Sequence, residues 1–291
     1  MNTGFTFCLR FSGITVRFLL PTAIELPDNF APFRCEDTAT ADEEYRVHLL
    51  TTPLRPTEPL LHREGDAHIY HTQQGWLHIY PSLSDESGCQ VACLFCSDGH
   101  HTIYYPASKW EYYSKTWRCG HLICAERLLL RHDAFLLHSS LVRIHGKAVL
   151  FSGPSGAGKS TQAELWQTHL GADILNGDRT IVRWSRDGFT GSGSMWSGTS
   201  GIYRPEQAPI AAIFLPVKST ENRVERLRRE AFAPLFSQTI LNSWDPKYMD
   251  HAAALHAALL EQVPVYRLYC RKDREAVELA YTTVFGKEFA P

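Results

Sequence analysis

Phe135-Leu136-Leu137-His138-Ser139-Ser140-Leu141-Val142-Arg143-Ile144, then His145-Gly146, then Lys147-Ala148-Val149-Leu150-Phe151, runs on through one serine into Gly153-Pro154-Ser155-Gly156-Ala157-Gly158-Lys159-Ser160-Thr161. The first two runs are apolar and a two-residue turn separates them, so an antiparallel hairpin is predicted to feed the glycine loop. Beyond it, Lys159 to Leu170 fits a helix closed by Gly171.

Gly153, Gly158, Lys159 and Ser160 satisfy the pattern G-x-x-x-x-G-K-[ST], with an apolar strand before it and an amphipathic helix after it. Glycines at this spacing let consecutive backbone N–H groups turn onto phosphate oxygens, and the helix start adds the positive end of its dipole. Lys159 is placed to reach the outer phosphates and Ser160 to offer a hydroxyl to Mg2+. The candidate nucleotide-binding residues are Gly153, Ser155, Gly156, Ala157, Gly158, Lys159, Ser160 and Thr161, and the expected guest is ATP. A glycine-rich turn that merely ends in Lys-Ser is the bland alternative, and the flanking strand and helix argue against it.

A metal-bound phosphate also needs a carboxylate. Asp178 follows the first strand after the loop helix, Ala172 to Leu175, at the edge where the phosphates are expected. It is read as a Mg2+ ligand with Ser160, as the group that takes a proton, or as both; a plain turn aspartate in Asn176-Gly177-Asp178 is the competing reading. His138 either touches the acceptor site or fills a half-buried strand position. Of Arg179, Arg204 and Arg223, Arg204 is preferred for offsetting charge on a transferring phosphoryl group. Gly191 to Gly201, with Trp196 at its centre, suits a segment that closes over a ligand. Arg223, Arg226, Arg228 and Arg229, interleaved with Glu221, Glu225 and Glu230, read as a solvated helix face.

Further out, Thr180 to Trp184 and Phe189 onward flank Arg186-Asp187-Gly188 as a second hairpin, and Ile210 to Leu215 is a buried strand. Asp245-Pro246 caps a helix to about Gln262, Val265 to Cys270 is a strand, and Asp273 to Phe285 a last helix. Upstream, Phe5 to Tyr105 is predicted mostly β, with strands at Ile14 to Leu20, His68 to His71, Trp76 to Tyr80 and Gln90 to Cys96 and a loop at Pro53 to Pro59. Ser114 to Arg131 is predicted helical and carries the domain boundary. Two hairpins around the glycine loop imply a mixed rather than all-parallel sheet. The fold class is therefore α+β or α/β, divided into a β-rich domain over 1–115 and an ATP-binding domain over 116–291.

The chain has 291 residues, 44% of them hydrophobic, and a formal net charge of -2. Such a balance offers no footprint for nucleic acid or an anionic membrane. Eight scattered cysteines in a chain of this size read as reduced thiols, which points to the cytoplasm. Cys89, Cys93 and Cys96 lack a partner pair at zinc spacing and read as core thiols. Arg10, Arg17 and Pro21 interrupt the apolar N-terminus, so neither a signal peptide nor a spanning helix is expected there.

His138 through Gly146, the loop Gly153 to Thr161, and Asp178-Arg179 resemble the catalytic domain of HPr kinase/phosphorylase. They are more closely similar to the bacterial HPr kinase-related proteins, over about Phe135 to Phe285. The resemblance implies a nucleotide-binding fold like that of phosphoenolpyruvate carboxykinase and ATP-dependent phosphorylation of a serine on a peptide or small protein. It places ATP phosphates on the loop, Mg2+ at Ser160 and Asp178, and the family's active-site histidine at His138. Two departures stand out: the family's first of two adjacent aspartates is Gly177 here, and Gly193 to Gly201 replaces its downstream acidic, glycine-rich signature. A non-catalytic ATP-binding scaffold and a kinase of a small hydroxyl metabolite are the alternatives, and a homo-oligomer stays open.

Overall fold

His145 and Gly146 take φ of 49° and 71°, the doubly positive backbone of a two-residue turn whose twist matches the strands it joins. They close the hairpin between Ala134–Ile144 and Lys147–Ser152, with Ile144 opposite Lys147 and Ser139 opposite Ser152. The computed structural model describes residues 4–36, 40–116 and 122–286. It divides into two compact units, Met1–Leu128 and Leu129–Pro291; the sequence reading put its division between 115 and 116.

In the first unit, strands β1 (Phe5–Phe11), β2 (Ile14–Leu20), β3 (Arg34–Cys35), β4 (Glu43–Leu50), β5 (His62–Glu64), β6 (Ala67–His71), β7 (Gly75–Tyr80), β8 (Val91–Cys96) and β9 (His100–Pro106) share one sheet. Their order is β3-β1-β2-β4-β9-β8-β7-β6-β5, antiparallel except for β2–β4 and β4–β9. Alternation of buried Val16, Phe18 and Leu20 with partly exposed Arg17 and Leu19 is the period-2 signature of a half-buried strand. Buried His101 is held between the rings of Tyr45 and Phe95; its Nε2 lies 2.9 Å from Glu43 Oε2 and its Nδ1 accepts from Cys96 N–H. Cys89 and Cys93 are buried and Cys96 is half-buried.

The single helix expected over Ser114 to Arg131 is corrected. Helix α1 (Trp110–Thr116) precedes residues 117–121, which lie outside the described residues, and α2 is Ala125–Arg131. Cys124, at φ 47°, adopts left-handed backbone that a right-handed helix does not admit, so α2 starts after it.

The second unit continues with β10 (Ala134–Ile144), β11 (Lys147–Ser152), α3 (Lys159–Leu170), β12 (Asp173–Asn176), β13 (Arg179–Ser185), β14 (Gly188–Ser192), β15 (Gln207–Lys218), β16 (Arg223–Leu227), α4 (Phe232–Phe236), α5 (Pro246–Gln262), β17 (Val265–Cys270) and α6 (Arg274–Phe285). The sheet is mixed, as two hairpins around the loop require. The first half of β10 pairs with β13 and the second half with β11, while β15 pairs in turn with β14, β11 and β17, the last two in parallel. The arginine-rich stretch read as a helix face is instead strand β16, antiparallel to β17, where Arg223 and Arg226 lie over the rings of their cross-strand partners Tyr269 and Tyr266. Aromatic partners at the facing positions reward extended backbone, and this outweighs the helix propensity of the Arg and Glu residues.

Strand alternation sends Leu141, Leu150, Ile213 and Leu215 into a core with α5 and sends Val142, Val149, Phe151 and Phe214 into a second core with α3 and α6. Asp245 caps α5 by accepting from the N–H groups of Lys247 and Tyr248. Among the described residues no helix is long and apolar enough to cross a membrane.

His256 on α5 carries a pH prediction. Its Nδ1 donates to Ala252 O, its Nε2 faces Thr239 Oγ1 at 2.8 Å, and it stacks on Phe135. Burial pushes its pKa down to about 4. The unfolded chain takes up this proton already near the ordinary value of 6.5, so stability is full above about 6.5 and falls as pH drops toward about 4. The loss is expected to reach about 3 kcal/mol, read from urea midpoints across that window, and His256→Leu should flatten the dependence.

Candidate active site

The chain leaves β11 at Ser152 and reaches α3 through Gly153 to Gly158. Gly156 and Gly158 take φ of 78° and 107°, backbone that a side chain would strain, and Gly158 is the residue from which α3 starts. Lys159 is 7% exposed, and its Nζ donates to Gly153 O at 2.9 Å and to Pro154 O at 3.1 Å. Burial, with a smaller push from Arg179, lowers its pKa against the opposing pull of Asp178.

A cavity of about 580 Å3 opens beside the loop. Ser155 to Gln162 line one side and His138, Gly177 and Asp178 another, with Ser197, Thr199 and Ser200 from the segment after β14. Lys218, Cys270, Arg271 and Lys272 enter from the ends of β15 and β17. Of the residues expected from sequence, His138, Ser155, Gly156, Ala157, Gly158, Lys159, Ser160, Thr161 and Asp178 all line this cavity. Gly153 lines an adjoining one of about 690 Å3, which also touches Ser155 to Ala157, Pro216, Pro234, Gln238 and Arg267.

Asp178 has both carboxylate oxygens engaged: Oδ1 lies 3.2 Å from His138 Nε2, and Oδ2 accepts from Arg179 Nε at 3.2 Å. Its backbone is set by fully buried Asn176, whose Oδ1 accepts from the N–H groups of Asp178 and Arg179. The Asn176 Nδ2 donates to the carbonyls of Ser194 and Trp196, which ties the turn to the segment after β14. His138 Nδ1 faces Gln238 Oε1 at 3.3 Å. Burial, then Lys159 and Arg179, hold the imidazole pKa below its ordinary value, opposed by Asp178 and Gln238. Once neutral, the ring has a single N–H to share between the two acceptors facing it.

Asn176 and Gln238 were missed in the sequence reading. Asn176 was findable, because an asparagine that caps backbone N–H groups two and three residues on is a turn signal. Gln238 was not: it is 100 residues from His138, and it arrives because Gln238 O accepts from His138 N–H while Ile240 N–H donates to Leu136 O alongside β10.

Arg204 is a correction. Its Nη1 lies 3.6 Å from Asp173 Oδ1, a carboxylate that also accepts from Arg143, and it does not line the cavity. The Arg204 N–H donates to Leu175 O, which fixes its backbone beside β12.

Gly177 sits where Ser200 packs directly against it, so an added Cβ would collide with the Ser200 side chain, and a Cβ on Gly198 would come within 2.8 Å of the Asp178 carboxylate. Gly177→Asp is therefore expected to destabilise the protein by about 1–3 kcal/mol without raising any activity. Adding Ser200→Gly should recover most of that loss in a thermal melt.

Among the described residues no group of three or more His, Cys, Asp or Glu is arranged to hold a metal unaided. One hydroxyl, Ser160, and one carboxylate, Asp178, in a single cavity make too small a set for an all-protein cage. They fit a cation such as Mg2+ that keeps waters and takes further ligands from phosphate.

No family model matches the sequence, and no curated protein matches it. Among solved structures the chain is similar to the Hpr(Ser) kinase/phosphatase from Coxiella burnetii, with a TM-score of 0.31 and 14% sequence identity over 51% of this chain and 95% of that one. This is a distant structural likeness.

Proposed function

We propose that this chain is a phosphotransferase that moves the γ-phosphoryl group of Mg-ATP to a hydroxyl, a serine of a peptide or small protein. The observation that carries the reading is one cavity shared by the glycine loop, the Lys159 helix start and the His138–Asp178 pair. The finer fold assignment, a nucleotide-binding unit like that of phosphoenolpyruvate carboxykinase, belongs to the same proposal and draws on the hairpin that feeds the loop.

In this reading the loop N–H groups and the Lys159 ammonium hold the outer phosphates. Lys159 exchanges its bonds to the Gly153 and Pro154 carbonyls for phosphate oxygens. Ser160 and Asp178 would hold Mg2+, which would offset charge on the phosphates when bound. Asp178 orients the acceptor hydroxyl and takes its proton as the oxygen bonds to γ-phosphorus and the bond to the β-phosphate oxygen breaks, releasing ADP. His138 and Arg179 hold the carboxylate in place.

The test is incubation with Mg-ATP and a pool of serine-containing peptides, followed by mass spectrometry. ADP and phosphopeptide are expected; calorimetry that detects no Mg-dependent ATP binding would sink the reading. The packing of Ser200 on Gly177, which leaves a single aspartate at this turn, favours a second reading as a non-catalytic ATP-binding scaffold. Tight ATP binding with no transfer to any peptide would select it.

A further inference from the structure

The end of β16 and the turn after it carry three exposed arginines, Arg226, Arg228 and Arg229, around a hollow of about 710 Å3. Its apolar wall comes from half-buried Phe232 and Leu260, and Glu261 is the one carboxylate that lines it. Neighbouring arginines are paired with surface carboxylates: Arg223 and Arg267 reach Glu225, Arg271 reaches Asp273 and Glu275, and Arg274 reaches Glu278. Among the described residues none of Arg226, Arg228 and Arg229 closes such an ion pair. Arg226 lies over the Tyr266 ring and Glu230 feels the charge of Arg228, yet three guanidinium groups against the single lining carboxylate of Glu261 leave the hollow cationic, which complements a ligand that is both anionic and apolar.

We propose that this hollow docks an acidic peptide segment carrying an apolar side chain, laid along β16. Two features favour an extended peptide. Among the described residues strand β16 ends the sheet order, with no strand beyond its outer edge, and strand edges accept extended chains. Phe232 and Leu260 together form a recess for a side chain rather than a flat cationic face. Three arginines on a chain of net charge -2 are too few for a nucleic-acid backbone.

The docking proposal does not depend on phosphotransfer. A continuation of it does: α4, about 7 Å long, runs from Phe232 at this hollow toward Pro234, Ser237 and Gln238 at the cavity touching the glycine loop. A peptide held at the arginines thereby sits one short helix away from the cavity that touches the glycine loop.

The experiment is fluorescence anisotropy on the full chain with a labelled peptide of alternating Glu and Leu, beside versions with Gln or Lys in place of Glu. Saturable binding of the Glu peptide alone is expected, weakened by salt and weakened about tenfold or more by Arg228→Gln with Arg229→Gln. Ala257→Glu, at an exposed helix position lining the same hollow, should weaken it similarly and covers the case in which the double variant melts early. Lys159→Ala should leave the affinity unchanged, which separates this site from the nucleotide cavity. Equal binding of the Gln peptide, no saturation, unchanged affinity in folded variants, or loss of binding in Lys159→Ala would each overturn the proposal.

Discussion

Lys159→Ala is expected to abolish tight Mg-ATP binding and to lower phosphoryl transfer by about 10²–10³-fold, the usual loss when one preorganised charge donor is removed from a reacting site. The ammonium is largely buried and is already desolvated against two loop carbonyls. Exchanging those neutral acceptors for phosphate oxygens therefore costs little further dehydration and gains a charge-assisted bond. Burial that lowers its pKa works in the same direction, because the charged form gains most from an anionic partner. Lys159→Arg should not rescue binding, since a planar fork cannot fold back on Gly153 and Pro154 as a compact ammonium does. Calorimetry with Mg-ATP measures the loss. Full affinity in the alanine variant would remove the glycine loop from the mechanism.

Asp178→Asn should separate binding from transfer. ATP affinity is expected to stay within about tenfold of the parent, while turnover falls by about 10²–10⁴-fold, the range for a lost proton acceptor. Asparagine keeps the shape and its oxygen can still accept from Arg179 Nε–H, while its NH2 faces His138 Nε2, which accepts only when the ring N–H sits on Nδ1. The carboxylate is also among the groups that raise the His138 pKa. Removing it should shift that imidazole further below its ordinary value, which an NMR titration of the ring detects. A variant with normal turnover and an unmoved His138 titration would leave Asp178 as a turn residue only.

Local rules predicted the elements that run near the loop. The hairpin, helix Lys159–Leu170 with its left-handed Gly171 cap, helix Pro246–Gln262 with its Asp245 cap, and strand Val265–Cys270 all stand where periodicity and capping placed them. Propensity misplaced two stretches. Residues 223–227 became a strand because aromatic partners on β17 hold them extended, and the helix expected over Ser114 to Arg131 is interrupted by left-handed backbone at Cys124.

The structure brings Lys159, Ser160, His138 and Asp178 to one cavity beside the glycine loop, a grouping the sequence could suggest because the loop motif and its flanking elements are sequence-local. Arg204 was misassigned for the opposite reason: which of several arginines reaches a cavity depends on carboxylates elsewhere, and Asp173 took this one.

By itself, the sequence determined an antiparallel hairpin, a glycine-rich turn and the helix that follows it, since turn chemistry and capping act over a few residues. Only the tertiary structure decided that Gln238 stands behind His138, that Ser200 fills the space above Gly177, and that three arginines gather around one hollow without closing an ion pair among the described residues. Each of these rests on segments distant in the chain brought together by burial of two apolar cores. Burial rewards the area removed from water and leaves little trace of which polar groups will meet once the cores have formed.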